Sequence, residues 1–139
     1  GRLEIINYLN KKILVDCAHN YPAAKALSNE RSNWENEEEG IYWILGVQKQ
    51  KNIDAILKTL LKKNDKLLLV PVPNQPSWQQ KDLSQIREID CQKIIEFEKF
   101  EFAIEYLFAL KKWPPNHPVL TGSIFLVAEF IKFANKQNC

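Results

Sequence analysis

Two spacings of apolar residues alternate along this chain: short continuous runs, and longer stretches with an apolar side chain every third or fourth position. Leu3-Glu4-Ile5-Ile6-Asn7-Tyr8 and Ile13-Leu14-Val15 are rich in β-formers, and Asn10-Lys11-Lys12 between them predicts a turn, so the chain opens on a hairpin. Pro22 starts a stretch to Trp34 with Ala23, Ala26 and Leu27 on one helical face. Proline suits a first helical turn because its missing N–H would have no intrahelical partner there. Glu35 to Gly40 reads as a solvated loop.

The same two spacings continue to the end. Ile41-Tyr42-Trp43-Ile44-Leu45 is a continuous apolar strand closed by Gly46, and Ile53, Ile56, Leu57, Leu60 and Leu61 recur at helical intervals between Asn52 and Lys62. Lys66 to Val70 predicts a strand, and Pro71 to Pro76 a loop by its proline content. A short helix is expected over Asp82–Ile86, a short strand over Lys93–Glu96, and a helix over Phe100–Lys111 with Phe100, Ile104, Leu107 and Phe108 on one face. Pro118–Thr121 and Ser123–Lys136 complete the series as strand and helix. Strands that are apolar throughout, rather than on alternate residues, have both faces covered. The expectation is a single α/β domain over residues 1–139, a three-layer, mostly parallel sheet with a leading hairpin.

Composition narrows the function classes. A formal charge of +2 with no dense run of Lys and Arg argues against nucleic acid and against an anionic membrane surface as partners. No apolar stretch reaches the ~20 residues of a membrane span, and no signal peptide is legible. Cys17, Cys91 and Cys139 lack zinc-site spacing, so we read them as free thiols of a cytoplasmic protein, with no metal centre. The chain starts inside a strand-like segment and contains no Met, the pattern expected of a domain cut from a longer protein.

The chemistry concentrates in Val15-Asp16-Cys17-Ala18-His19-Asn20-Tyr21-Pro22, where a buried strand delivers an acid, an imidazole and an amide to its carboxyl end. That edge is where ligands bind in open α/β sheets. Asp16 suits ribose hydroxyls there, or it serves the following turn and helix start. His19 is a donor or a cation facing an anionic substrate, or a plain loop residue. Asn20 is a candidate contact or a helix cap. Thr121-Gly122-Ser123 joins a strand to a helix, where Ser123 can cap the helix and offer its hydroxyl and nearby N–H groups to a carboxylate.

These residues, together with Gly1-Arg2-Leu3-Glu4, resemble the C-terminal domain of the Mur ligase family, in the branch of the folylpolyglutamate and dihydrofolate synthases. The resemblance covers essentially the whole chain and implies a Rossmann-like fold. It also implies a parent enzyme that uses ATP and Mg2+ to activate a carboxylate of folate or dihydropteroate as an acyl phosphate, which the amine of L-glutamate then displaces. By the same resemblance, Arg2 and Asp16 contact ATP, while His19 and Ser123 lie at the glutamate site. Asn20 matches the motif as well. Gly46-Val47-Gln48-Lys49-Gln50-Lys51 matches a further family loop in part, because Gln50 and Asn52 stand where the family has acids, and it carries over only Gly46 and Lys51. Cys17 stands where the family usually has Gly, and Tyr21 displaces the usual Pro by one position.

The chain has no Gly-x-x-x-x-Gly-Lys-[Ser/Thr] loop to cradle phosphates. In the family that loop and the metal ligands belong to the central domain, so this chain is expected to be inactive alone and to partner the N-terminal and central ATPase domain of the same parent. Two rival readings remain at this point: the matching domain of a cell-wall Mur ligase with another amino acid, and a stand-alone, non-catalytic α/β binding module.

Overall fold

The computed structural model describes residues 3–86 and 88–138. Strands β1 (Glu4–Tyr8) and β2 (Lys11–Val15) form the leading hairpin, antiparallel with Tyr8 opposite Lys11. The turn is Leu9-Asn10, at φ 47° and 68°, one step earlier than Asn10-Lys11-Lys12. A two-residue turn with both residues at positive φ matches the twist of its flanking strands. The pairing of Ile6 with Ile13 then fixes the register and draws Lys11 and Lys12 into β2.

The chain continues through α1 (Tyr21–Arg31), β3 (Tyr42–Leu45), α2 (Ile53–Leu60), β4 (Lys66–Leu69), α3 (Gln80–Leu83), β5 (Lys93–Glu96), α4 (Phe100–Phe108), β6 (Val119–Thr121) and α5 (Ile124–Asn138). Six strands make one sheet in the order β1-β2-β6-β3-β4-β5, parallel throughout except at β1. Alternate strand residues feed two cores. Leu14, Val119, Trp43, Leu45, Leu67 and Leu69 pack with α1, α2 and Leu83 of α3. Val15, Leu120, Ile44, Leu68 and Val70 pack with α4 and α5 on the opposite face. The expected three-layer α/β fold is the one observed.

Three helix limits and one helix phase differ from the periodicity. The buried side of α1 is Ala24, Leu27 and Arg31, while Ala26 is exposed, and the helix stops before Trp34. Alanines specify a helix phase weakly, and here the phase follows Arg31, which is 1% exposed beneath the amino edge of the sheet. Its guanidinium grips Asp65, with Nη1 and Nη2 at 2.5 and 2.6 Å from the two carboxylate oxygens. Asp65 also accepts from the N–H groups of Ile41 and Lys62 and from the Trp43 indole. α3 begins at Gln80 rather than Asp82, because the Asp82 carboxylate accepts from the Gln79 N–H at 3.0 Å and so sits inside the first turn. α4 ends at Phe108, short of Lys111, ahead of Pro114-Pro115.

Candidate functional site at the carboxyl edge of the sheet

Strand order decides where a ligand fits. β2 is followed by α1, which packs on one face of the sheet, and its neighbour β6 is followed by α5, which packs on the other. Connections that leave adjacent parallel strands toward opposite faces open a crevice at their carboxyl ends. Here that crevice lies between Asp16-Cys17-Ala18-His19-Asn20 and Thr121-Gly122-Ser123, so His19 and Ser123 share one edge of the sheet.

The two walls are tied together. The Asp16 N–H donates to Leu120 O at 3.2 Å, and the Thr121 hydroxyl donates to Asp16 O at 2.7 Å. Gly122 has φ +108°, and a Cβ on it would stand 2.4 Å from the Gly46 carbonyl oxygen. Only glycine fits there, for its backbone angle and for its closeness to Gly46. Gly46 is itself held by its N–H to Thr121 O at 3.2 Å, and a Cβ on it would meet Leu126 and Val70 O at 3.0 Å. Gly46 therefore shapes the edge through its backbone.

Asp16 is buried, at 7% exposure. Burial pushes its carboxyl above the ordinary carboxylate value, and a hydrogen bond from the Ala18 N–H works in the opposite sense. The acid thus braces the turn out of β2, the local role an Asp commonly takes two residues before a turn N–H. Burial likewise pushes the Cys17 thiol up, with the Asp16 carboxylate adding to the effect. Since the thiolate is the reactive form, this shift works against Cys17 acting as a nucleophile.

His19 is half-buried, and its Nδ1 lies 2.8 Å from Cys17 O. Asn20 caps α1, accepting from the Ala23 N–H at 3.0 Å. Ser123 is 2% exposed and caps α5, accepting from the Phe125 N–H at 3.1 Å. Both caps keep their side-chain donors for other use, the NH2 group of Asn20 and the hydroxyl proton of Ser123. Lys51 stands half-buried past the end of β3, where its carbonyl accepts from the Trp78 indole at 3.0 Å. The nearby Asn52 caps α2, accepting from the Ala55 N–H at 3.2 Å. Arg2 and Gly1 lie outside the described residues. Asp16, His19, Asn20, Gly46 and Ser123 therefore come together on one edge.

Reading the sequence missed three features. Thr121 belongs to the Thr121-Gly122-Ser123 motif of the sequence reading, but the hydroxyl that pins the two walls is given no role there. Tyr21, Ile124 and Phe125 expose large apolar surface in the first turns of α1 and α5, one lip on each side of the crevice. Their signal was apolar residues at helix starts, where polar ones are usual. The Arg31–Asp65 pair was also missed, although Arg31 falls four residues after Leu27 on the apolar side of α1. That pair lies at the opposite edge and serves the fold. Among the described residues no group of three His, Cys, Asp or Glu side chains could hold a metal ion, and no helix is long and apolar enough to cross a membrane.

Residues 2–133 match the family model of the dihydrofolate synthetase C-terminal domain. Among solved structures, a folylpolyglutamate synthase from Thermotoga maritima shares the fold with a TM-score of 0.75 and 23% identity, over 97% of this chain and 30% of that one. E. coli FolC in complex with DHPP and ADP gives 0.75 and 19%, over 100% of this chain and 32% of that one. A Mycobacterium tuberculosis folylpolyglutamate synthase complexed with ADP and AMPPCP gives 0.72 and 18%, over 96% and 31%. No curated protein matches the sequence. The chain thus spans about 30% of the length of these solved structures. With the family model matched along nearly all of it, and the same fold recurring in these synthases, the chain belongs to the dihydrofolate synthetase C-terminal domain family.

Proposed function

We propose that this chain is the C-terminal domain of an ATP-dependent folylpolyglutamate or dihydrofolate synthase, and that its carboxyl-edge crevice presents L-glutamate to a folate or dihydropteroate carboxylate activated as an acyl phosphate. The observation that carries this reading is that β2 and β6 are neighbouring parallel strands, so that His19 and Ser123, far apart in the sequence, follow their carboxyl ends on the same edge of the sheet. Ligands named for the relatives point the same way: ADP in E. coli FolC with DHPP, and AMPPNP with Mn in a bifunctional synthase from Yersinia pestis.

The residues present fit part of a nucleotide. Asp16 offers a carboxylate at the end of β2, suited to ribose hydroxyls, and Arg2 a guanidinium suited to phosphate. Phosphates and Mg2+ need more than this chain supplies, since it carries no phosphate-binding loop and, among its described residues, no cluster of metal ligands. They would be held mainly by the central domain of the parent, where ATP supplies the phosphoryl group that activates the carboxylate. This domain's part is positioning and charge complementarity. Ser123 and the first-turn N–H groups of α5 suit a glutamate carboxylate, His19 holds the same substrate from the opposite wall, and Asn20, Gly46 and Lys51 shape the surroundings.

The purified 139-residue chain is expected to show neither ligase nor ATPase activity. In the full-length enzyme, His19→Ala and Ser123→Ala should each raise KM for glutamate and leave KM for ATP nearly unchanged, with non-additive effects because they share one ligand. Asp16→Ala should do the reverse, at a cost of roughly 1.5–3 kcal/mol in nucleotide use. ATP hydrolysis by the isolated chain that survives loss of Asp16, or normal glutamate kinetics in both His19 and Ser123 variants, would refute the proposal.

A further inference from the structure

We infer that His19 takes the amino end of the incoming amino acid, accepting a proton through Nε2, rather than donating to a carboxylate. The inference rests on the proposed function and assigns one side chain its role within it. A carbonyl oxygen can only accept, so the 2.8 Å contact with Cys17 O requires Nδ1 to carry a proton. In the neutral ring that leaves the lone pair on Nε2, because the partner of one ring nitrogen sets the state of the other. Nε2 has no hydrogen-bond partner among the described residues. Cys17 is only two residues away, so the contact belongs to the turn itself and is formed before any ligand arrives.

The opposite wall supplies what His19 lacks. Ser123 keeps its hydroxyl proton after capping α5, and the first-turn N–H groups of α5 are donors as well. Asn20 already caps α1, so the amino end of the helix beside His19 offers less to an anion. An amino acid lying across the crevice is then matched at both ends, with its carboxylate toward Ser123 and its nitrogen toward His19. An ammonium has no lone pair with which to attack. One proton passes from nitrogen to His19 Nε2, and the freed amine forms the C–N bond at the acyl phosphate carbonyl as the C–O bond to phosphate breaks. The second nitrogen proton leaves with the departing phosphate, and the imidazolium returns the first to solvent.

The test compares His19→Gln and His19→Arg in the full-length enzyme, since both keep a donor on a long side chain and neither can take up a proton at neutral pH. Both are expected to lower kcat with glutamate about 100-fold or more. The deficit should narrow as pH rises toward the pKa of the substrate amine, with KM for ATP unchanged. A purely structural role gives a deficit that does not vary with pH. Nitrogen-15 spectra of the histidine-labelled enzyme should show the neutral His19 ring protonated at Nδ1. Activity of either variant within a few-fold of the parent, a deficit independent of pH, or a neutral ring protonated at Nε2 would overturn the inference while leaving the ligase reading intact. Absence of any amino acid transfer by the full-length enzyme would remove both.

Discussion

Replacing Asp65 by Asn tests the account of what holds the amino edge of the sheet. The substitution keeps the shape of the side chain and removes its charge. Asp65 and Arg31 are 0% and 1% exposed, so water cannot solvate the guanidinium left behind. The new amide also turns an NH2 group toward donors, which compete with it: Arg31 Nη1 and the Trp43 indole meet Oδ2, and Arg31 Nη2 and the Ile41 N–H meet Oδ1. Breaking a buried pair from one side costs about 3–5 kcal/mol. Domains of this kind are stable by only about 5–15 kcal/mol, so the loss is a large share of the total. At roughly 4 °C per kcal/mol for this size, Tm should fall by about 12–20 °C. Circular dichroism of the 139-residue chain during urea and thermal denaturation measures both quantities. Lys58→Met is the control, because it breaks the exposed Lys58–Asp54 pair, an i,i+4 contact expected to be worth about 0.3–0.5 kcal/mol. If Asp65→Asn costs no more than that control, the reasoning about desolvation is wrong.

Two further predictions concern the carboxyl edge. Gly122→Ala must relieve both a φ of +108° and a Cβ 2.4 Å from Gly46 O, so it should destabilise the chain by about 1–3 kcal/mol or more and weaken glutamate use in the full-length enzyme; unchanged denaturation and kinetics would show the β6–α5 turn to be adaptable. Asp16 has its carboxyl raised in the folded state, so the native chain holds this proton more tightly than the unfolded one, and the resulting stability is complete below the ordinary Asp value and lost as pH rises through the folded value. Asp16→Asn should therefore gain relative to the parent as pH rises across that window, and a difference that moves the other way contradicts the burial argument.

Much of the fold was legible because it is local. Continuous apolar runs such as Ile41–Leu45 and helical spacing such as Ile53-Ile56-Leu57-Leu60 are set by contacts within one or two turns of chain, and they gave strands, helices and the three-layer class. The same locality placed Asp16, His19 and Asn20 at the end of β2, and Ser123 at the head of α5, where it caps. Where local signals were weak, the reading drifted: an alanine-rich α1 gave the wrong phase, and the hairpin turn was placed one residue too late.

The sequence by itself therefore determined the elements, their alternation and the motif that marks the family. The tertiary structure alone decided that β6 inserts between β2 and β3, bringing the Thr121 hydroxyl onto a carbonyl 105 residues away. It decided that Gly122 must pass against Gly46, that Arg31 is buried because Asp65 waits for it, and that the His19 ring is fixed by Cys17 O with no partner for Nε2 among the described residues. Periodicity reports which residues avoid water, since that preference is carried by each side chain. Which buried or half-buried group meets which other depends on strand order and close approach, and those are settled only when distant segments pack together.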